Sequence, residues 1–242
     1  FQTSLMSSMA ANGESPYKAL ITHGFVNDAK GLKMSKSQGN VIDPQKIMNR
    51  SGAEILRLWV AYEDYGQDVT VSEEIFQRLT EIYRRFRNTI RFMLGNLFDF
   101  EPDQHSVEFT QMKPLDQWAL IRLHHTVQES CEAYESYRFH RVFHLLNNFF
   151  TVDLSATYLD ILKDRLYTSR KEGLARRSAQ TVIHQSLKQL TIVMAPIASF
   201  LAEETYEHLP GRKHPTVFLE SFPEAQSEWK DAKIESDWSA LL

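Results

Sequence analysis

Between Ser72 and Leu97 the apolar residues Ile75, Leu79, Ile82, Phe86, Ile90, Met93 and Leu97 are spaced by four, three, four, four, three and four. Only a helix brings positions at that spacing onto one face, so this stretch must fold with a long buried stripe. Ser72 is placed to cap it, with Val71 and Phe76 as an apolar staple. The pattern after it predicts further helices over residues 116–136, 139–167 and 175–208. The last should kink near Pro196, whose ring removes an amide donor and crowds the preceding turn. Leu209-Pro210-Gly211 should stop it, and residues 214–220 read as a short extended segment. Turn-formers are scarce, as long helices require: 9 Gly and 8 Pro in 242 residues, well under the usual share of about 12%.

The first 70 residues differ in kind. Residues 18–26 read as a strand, Asn27 to Gly31 as a turn by their Asn, Asp and Gly content, and Leu32 to Met34 as a short returning strand. A polar loop, residues 35–40, follows. Asp43-Pro44 has the form of an N-cap with proline at the first helical position, opening a helix to about Asn49. Ser51 or Gly52 caps another over residues 53–63. The expected fold class is mostly α: α/β material over residues 1–70, then an antiparallel helical bundle over residues 71–242. The chain is 43% hydrophobic, which excludes wholesale disorder.

Composition narrows the function. The net charge of −4 gives no global basic signature for nucleic acid, but the charge is uneven. Residues 78–91 hold five Arg against one Glu, and residues 163–177 hold six basic against two acidic residues. The single cysteine, Cys131, can form neither an intrachain disulfide nor a multi-Cys zinc site, so a reducing, cytoplasmic setting is expected. The longest apolar run, residues 192–202, is about half of the ~20 residues that span a bilayer, so no membrane association is expected. His140 and His144 are one helical turn apart, but no Glu or Cys completes a metal site. The chain begins at Phe1 and reads as a piece of a longer protein.

The most informative stretch is Gly31-Leu32-Lys33-Met34-Ser35-Lys36-Ser37-Gln38-Gly39-Asn40. Two lysines three apart lie between glycines, with hydroxyls beside them. Lysine is a flexible point charge with rotatable donors. A mobile loop carrying two of them can close on a triphosphate and neutralise charge as pyrophosphate leaves, a gain that counts only where it is larger in the transition state. On residue types alone, two solvated lysines on a surface loop remain the plain alternative.

The whole string resembles the signature loop of class I aminoacyl-tRNA synthetases, Lys-Met-Ser-Lys-Ser with the following Gly-Asn. Phe1, Ser4 and Leu5, Thr22-His23-Gly24-Phe25 and residues 52–59 are similar to other segments of that family. Residues 83–89, 115–119 and 158–167 resemble its isoleucine branch in particular. The resemblance implies the end of a class I synthetase α/β catalytic domain followed by an anticodon-binding bundle. It implies a ligase that activates isoleucine with Mg-ATP and passes it to tRNA(Ile), expected to be a monomer. Lys33 and Lys36 would be catalytic, binding the β- and γ-phosphates, with Lys36 the more important. Met34, Ser35 and Ser37 would complete the ATP-binding loop. A valine- or leucine-type synthetase, or a non-catalytic tRNA-binding helical module, are the alternatives.

The family's His-Ile-Gly-His motif does not occur in this chain, so these residues are expected not to catalyse adenylation by themselves, and no zinc is expected. For tRNA, Arg84, Arg87 and Arg91 fall opposite the apolar stripe at 100° per residue and offer a basic face for phosphates. Arg176 and Arg177, in the second basic run, are further candidates. Ion pairing within the bundle is the competing reading for each, for example Arg165 with Asp160 or Asp164.

Overall fold

The computed structural model describes residues 1–224 and 229–241. The chain forms two compact units, Phe1–Val41 with Tyr65–Val71, and Ile42–Asp64 with Ser72 onward. The sequence suggests a division at about residue 70; by compactness, residues 42–64 group with residues 72 onward.

The first unit contains helix α1 (Gln2–Asn12), which ends on Gly13 in the left-handed conformation and buries no residue. Residues 18–26 read as a strand, yet of these only Val26 forms a ladder, in strand β1 (Val26–Asn27). It pairs in parallel with strand β2 (Val69–Thr70), Val26 opposite Val69. The reason is partnership: β2 is two residues long, and the contacts before it are the Gly24 amide to the Tyr65 carbonyl (2.9 Å) and the Val69 amide to the Phe25 carbonyl (2.8 Å). Gly24 is required at that approach, because a Cβ there would overlap the Gln67 carbonyl. The expected returning strand at Leu32 to Met34 is reduced to one antiparallel bridge between Asn27 and Lys33.

The second unit starts with helix α2 (Pro44–Ser51), whose N-cap Asp43 accepts the Gln45 amide at 2.9 Å. Helix α3 (Ala53–Tyr62) follows. Helix α4 (Glu73–Gly95) is capped by Ser72, which accepts the Ile75 amide, and it buries Leu79, Ile82, Phe86, Ile90 and Met93 as the spacing requires. A single turn, α5 (Pro102–His105), leads to α6 (Pro114–Glu135) and α7 (Phe139–Asn148). The helix expected over residues 139–167 keeps its path but not its winding. Phe149–Tyr158 is wound as a wider π-helix before α8 (Leu159–Thr168). Through that stretch Phe149, Phe150, Asp153, Leu154 and Tyr158 are all buried, and Phe150 stacks on Phe86 at 4.6 Å.

The helix expected over residues 175–208 is cut in two, α9 (Leu174–Met194) and α10 (Ser199–Glu207), with Pro196 in the gap. Residues 214–220 are not extended: a 3₁₀ turn, Val217–Leu219, opens on Thr216, which accepts the Phe218 amide. Helix α11 (Ala232–Leu241) lies against α6, with Trp238 5.8 Å from Trp118.

The break at Pro196 is satisfied from α3. A cut helix leaves carbonyls unpaired on one side and amides on the other. Arg57 donates to the carbonyls of Ile197 (Nε, 3.0 Å) and Pro196 (Nη2, 2.6 Å). The buried Glu54 carboxylate accepts the amides of Phe200 (2.6 Å) and Leu201 (2.9 Å).

Candidate functional site

In the first unit, Asp28 shapes the approach to the lysine loop. Its Oδ1 accepts the amides of Lys30 and Leu32, each at 2.9 Å, and its Oδ2 accepts Asn40 Nδ2 at 2.9 Å. Asn40 closes the loop from its far end, since its Oδ1 accepts the Ser35 amide at 2.9 Å. The Asn40 hydrogen bond, with the Leu32 amide, holds the Asp28 carboxyl below its ordinary range. Within the loop the Gln38 and Gly39 amides donate to the carbonyls of Ser35 and Lys36 (3.2 and 3.3 Å), and Ser35 Oγ is 3.2 Å from Ser37 Oγ. Gly39 has φ +67°, a left-handed conformation strained for other residues.

This scaffold leaves Lys33 and Lys36 exposed and Met34 and Ser35 half-buried. Lys33 Nζ stands 5.2 Å from the Phe25 ring centroid, and neither lysine has an acidic partner among the described residues. Asp28 and Asn40 were not singled out from sequence as site residues. The available signal was an Asp three residues before Gly31, the pattern of an Asx turn.

In the second unit, Arg84, Arg87 and Arg91 are exposed along α4. Arg84 pairs with Glu81 (2.7 Å) one turn away, and Arg87 pairs with Glu204 of α10 (3.2 Å). Both pairs are open to solvent, where such contacts are weak and easily exchanged. A cleft of about 940 Å³ includes Arg84 and Arg87 with Arg78 and Arg50. Arg50 comes from α2 and is paired with Glu73 at 2.7 Å; nothing in a single-helix pattern could have added it. Tyr83, in the same wall, has its phenol pushed up to about 12 by burial and the adjacent Glu54 carboxylate.

Arg176 and Arg177 require a correction. They are 7% and 5% exposed and point inward. Arg176 forms a two-pronged pair with Asp99 (2.7 and 3.0 Å) and also donates to the Leu166 carbonyl (3.3 Å). Arg177 donates to the Asp99 carbonyl and to Gln180 Oε1, each at 2.8 Å. They hold the segment after α4 against α9 and are not available to a phosphate backbone. Arg165 is paired too, but with Asp116 (2.7 Å) rather than Asp160 or Asp164. Asp116 is fully buried and also accepts Tyr158 (2.9 Å) and Ser178 (2.6 Å). Among the described residues, no group of three or more His, Cys, Asp or Glu side chains is placed to hold a metal. None of the described helices is long and apolar enough to cross a membrane.

Comparison with known proteins places the chain in a family. The anticodon-binding domain of tRNA ligases matches residues 116–241, more than half of the chain, and class I tRNA synthetases (I, L, M and V) match residues 1–72. The chain therefore belongs to the family of class I tRNA ligases with an anticodon-binding domain.

Among curated relatives, the isoleucine–tRNA ligase of Petrotoga mobilis is 47% identical over 243 residues, and that of Geobacter sulfurreducens is 48% identical over 242. Each alignment covers 100% of this chain and 26% of the relative, so the chain spans about a quarter of the length of the relatives it matches. The fold is similar to the LeuRS of Agrobacterium radiobacter K84, solved with tRNA and LeuAMS (TM-score 0.70, 18% identity, 93% of this chain and 26% of that one). It is also similar to a Mycobacterium tuberculosis methionyl-tRNA synthetase (TM-score 0.66, 17% identity, 91% and 46%).

Proposed function

We propose that this chain is the working end of an isoleucine–tRNA ligase of the cytoplasm: it carries the phosphate-closing loop of the catalytic domain and the body that grips tRNA(Ile). The observation that carries the reading is the lysine loop. Its backbone is fixed by Asp28 and Asn40, while Lys33 and Lys36 are exposed and have no acidic partner among the described residues.

Isoleucine's carboxylate attacks the α-phosphorus of Mg-ATP, and the α–β bridge oxygen leaves with pyrophosphate. Negative charge grows on the β- and γ-phosphates as that bond breaks. Two ammonium groups brought against them at that moment stabilise the transition state more than the bound nucleotide. Met34, Ser35 and Ser37 shape the loop around the phosphates. The donors fit the ligand: cations and hydroxyls, with the Asp28 carboxylate at the base of the loop already engaged by Asn40 and two amides. The aminoacyl group then passes to the 3′ end of tRNA(Ile), whose backbone lies along Arg84, Arg87 and Arg91.

The test is ATP–pyrophosphate exchange in the full-length ligase. Lys36→Ala should lower the rate by roughly 10²–10³-fold, the usual loss for one preorganised donor, and Lys33→Ala by less. The 242-residue chain alone should give no exchange. A full-length Lys36→Ala enzyme as fast as the unaltered one would overturn the reading.

A further inference from the structure

Phe98 is the most exposed large apolar residue among those described, 81% open to solvent, yet it is not on a loose tip. It lies between Leu97 and Phe100, both buried, in the segment that follows α4. Its ring centroid is 5.9 Å from the guanidinium carbon of Arg176. That guanidinium is immobilised by Asp99 and by the carbonyls of Leu166 and Lys171. One flank of the ring is thus set against a locked cation, an attraction that favours one ring orientation, while most of its surface meets only water. A single exposed apolar side chain is ordinary; one oriented by a buried arginine beside a recess is not.

The recess is a cleft of about 490 Å³ whose lining includes Phe98, Asp99, Glu101, Gln104, Lys171 and Arg177. That volume suits a small planar ligand. Its polar capacity is mixed and partly unspent. Asp99 is saturated by Arg176 and Gln180, but the Lys171 ammonium makes no hydrogen bond or ion pair among the described residues and acts only at a distance on the Glu172 carboxylate of the same lining, and Gln104 uses only its amide nitrogen, on Glu101. Arg170, next in the chain to Lys171, is likewise exposed and unpaired among the described residues.

An open aromatic face, edge-on donors and acceptors, and two flanking cations match one chemistry: an unpaired nucleobase stacked on the ring, its edge bonded in the cleft and its phosphates beside the cations. We infer that Phe98, held by Arg176, is a stacking platform for a single unpaired base of bound RNA, with the Gln104–Lys171 cleft receiving that base's edge. This rests on the tRNA reading above and adds to it a position on the protein.

The test uses the full-length ligase and a tRNA(Ile) transcript carrying 2-aminopurine at successive unpaired loop positions. Phe98→Ala should weaken binding about tenfold, within the range for loss of one base stack, and abolish the 2-aminopurine fluorescence change at one position. The salt dependence should stay as in the unaltered ligase, because no phosphate contact is lost. Phe98→Tyr should restore both affinity and the fluorescence change. If Phe98→Ala binds as the unaltered ligase does while Arg84→Glu/Arg87→Glu loses affinity, the platform is wrong and the tRNA reading survives. If both variants bind unchanged, or the unaltered ligase does not bind the transcript, both fall.

Discussion

The two groups of arginines have the same composition and opposite fates. Arg84, Arg87 and Arg91 stay in solvent on α4, held at most by exposed carboxylates. Arg176 and Arg177 begin α9, and they are swallowed by contacts to Asp99, Gln180 and main-chain carbonyls. The difference is in what each helix packs against. α4 has a complete apolar stripe, so its basic face is left over. α9 is buried almost all round, so any arginine on it must bring its counter-charge inside. A cluster of basic residues in sequence is therefore a surface only where the same helix has somewhere else to put its apolar side.

The largest effect expected from this contrast is at Asp116. Asp116→Ala strands Arg165, Tyr158 and Ser178 in the interior and should cost ~3–5 kcal/mol, read as a drop in the urea midpoint. A loss below 1 kcal/mol would mean that the buried network is not what pins α6 to its neighbours.

Next is acid sensitivity. Arg176, with help from Gln180 and Arg177, holds the Asp99 carboxyl down at about 2. A depressed acid stabilises the fold above its unfolded pKa of ~3.9, and this contribution, about 2 kcal/mol, is lost as pH falls from there through about 2. Burial also depresses the imidazoles of His124 and His184. For these the unfolded chain takes up protons first, so their contribution is complete above pH ~6.5 and fades as pH falls below it. Urea midpoints should decline from pH 7 to 5 and again from 4 to 2.5; a flat profile would contradict both assignments.

The smallest effect on stability belongs to the exposed arginines. Arg84→Glu with Arg87→Glu should change stability by less than about 0.5 kcal/mol per site, while lowering tRNA affinity and flattening its salt dependence by about one unit of slope per lost phosphate contact. Equal losses in stability and binding would mean that the two groups of arginines do not differ in role.

The sequence was most legible where one element decides its own shape. The spacing from Ile75 to Met93 foretold α4, Ser72 its start, and Asp43-Pro44 the start of α2. It was less legible where a partner decides. Residues 18–26 have the composition of a strand, but the two residues of β2 pair only with Val26 and Asn27. The winding change at Phe149–Tyr158 has no local marker. The pairings of Asp99 with Arg176 and of Asp116 with Arg165 join residues 77 and 49 positions apart, beyond any helical rule. At the lysine loop the string of residues was plain, but the brace behind it, Asp28 to Asn40, emerged only from the fold.

The clasp that α3 places on the gap at Pro196 has a mechanical consequence. Straightening or deepening that bend would strand two carbonyls now held by Arg57 and two amides now held by Glu54, so the elbow has no soft direction. A push delivered to α10 is handed to α3 as through a splinted joint, not absorbed at the proline.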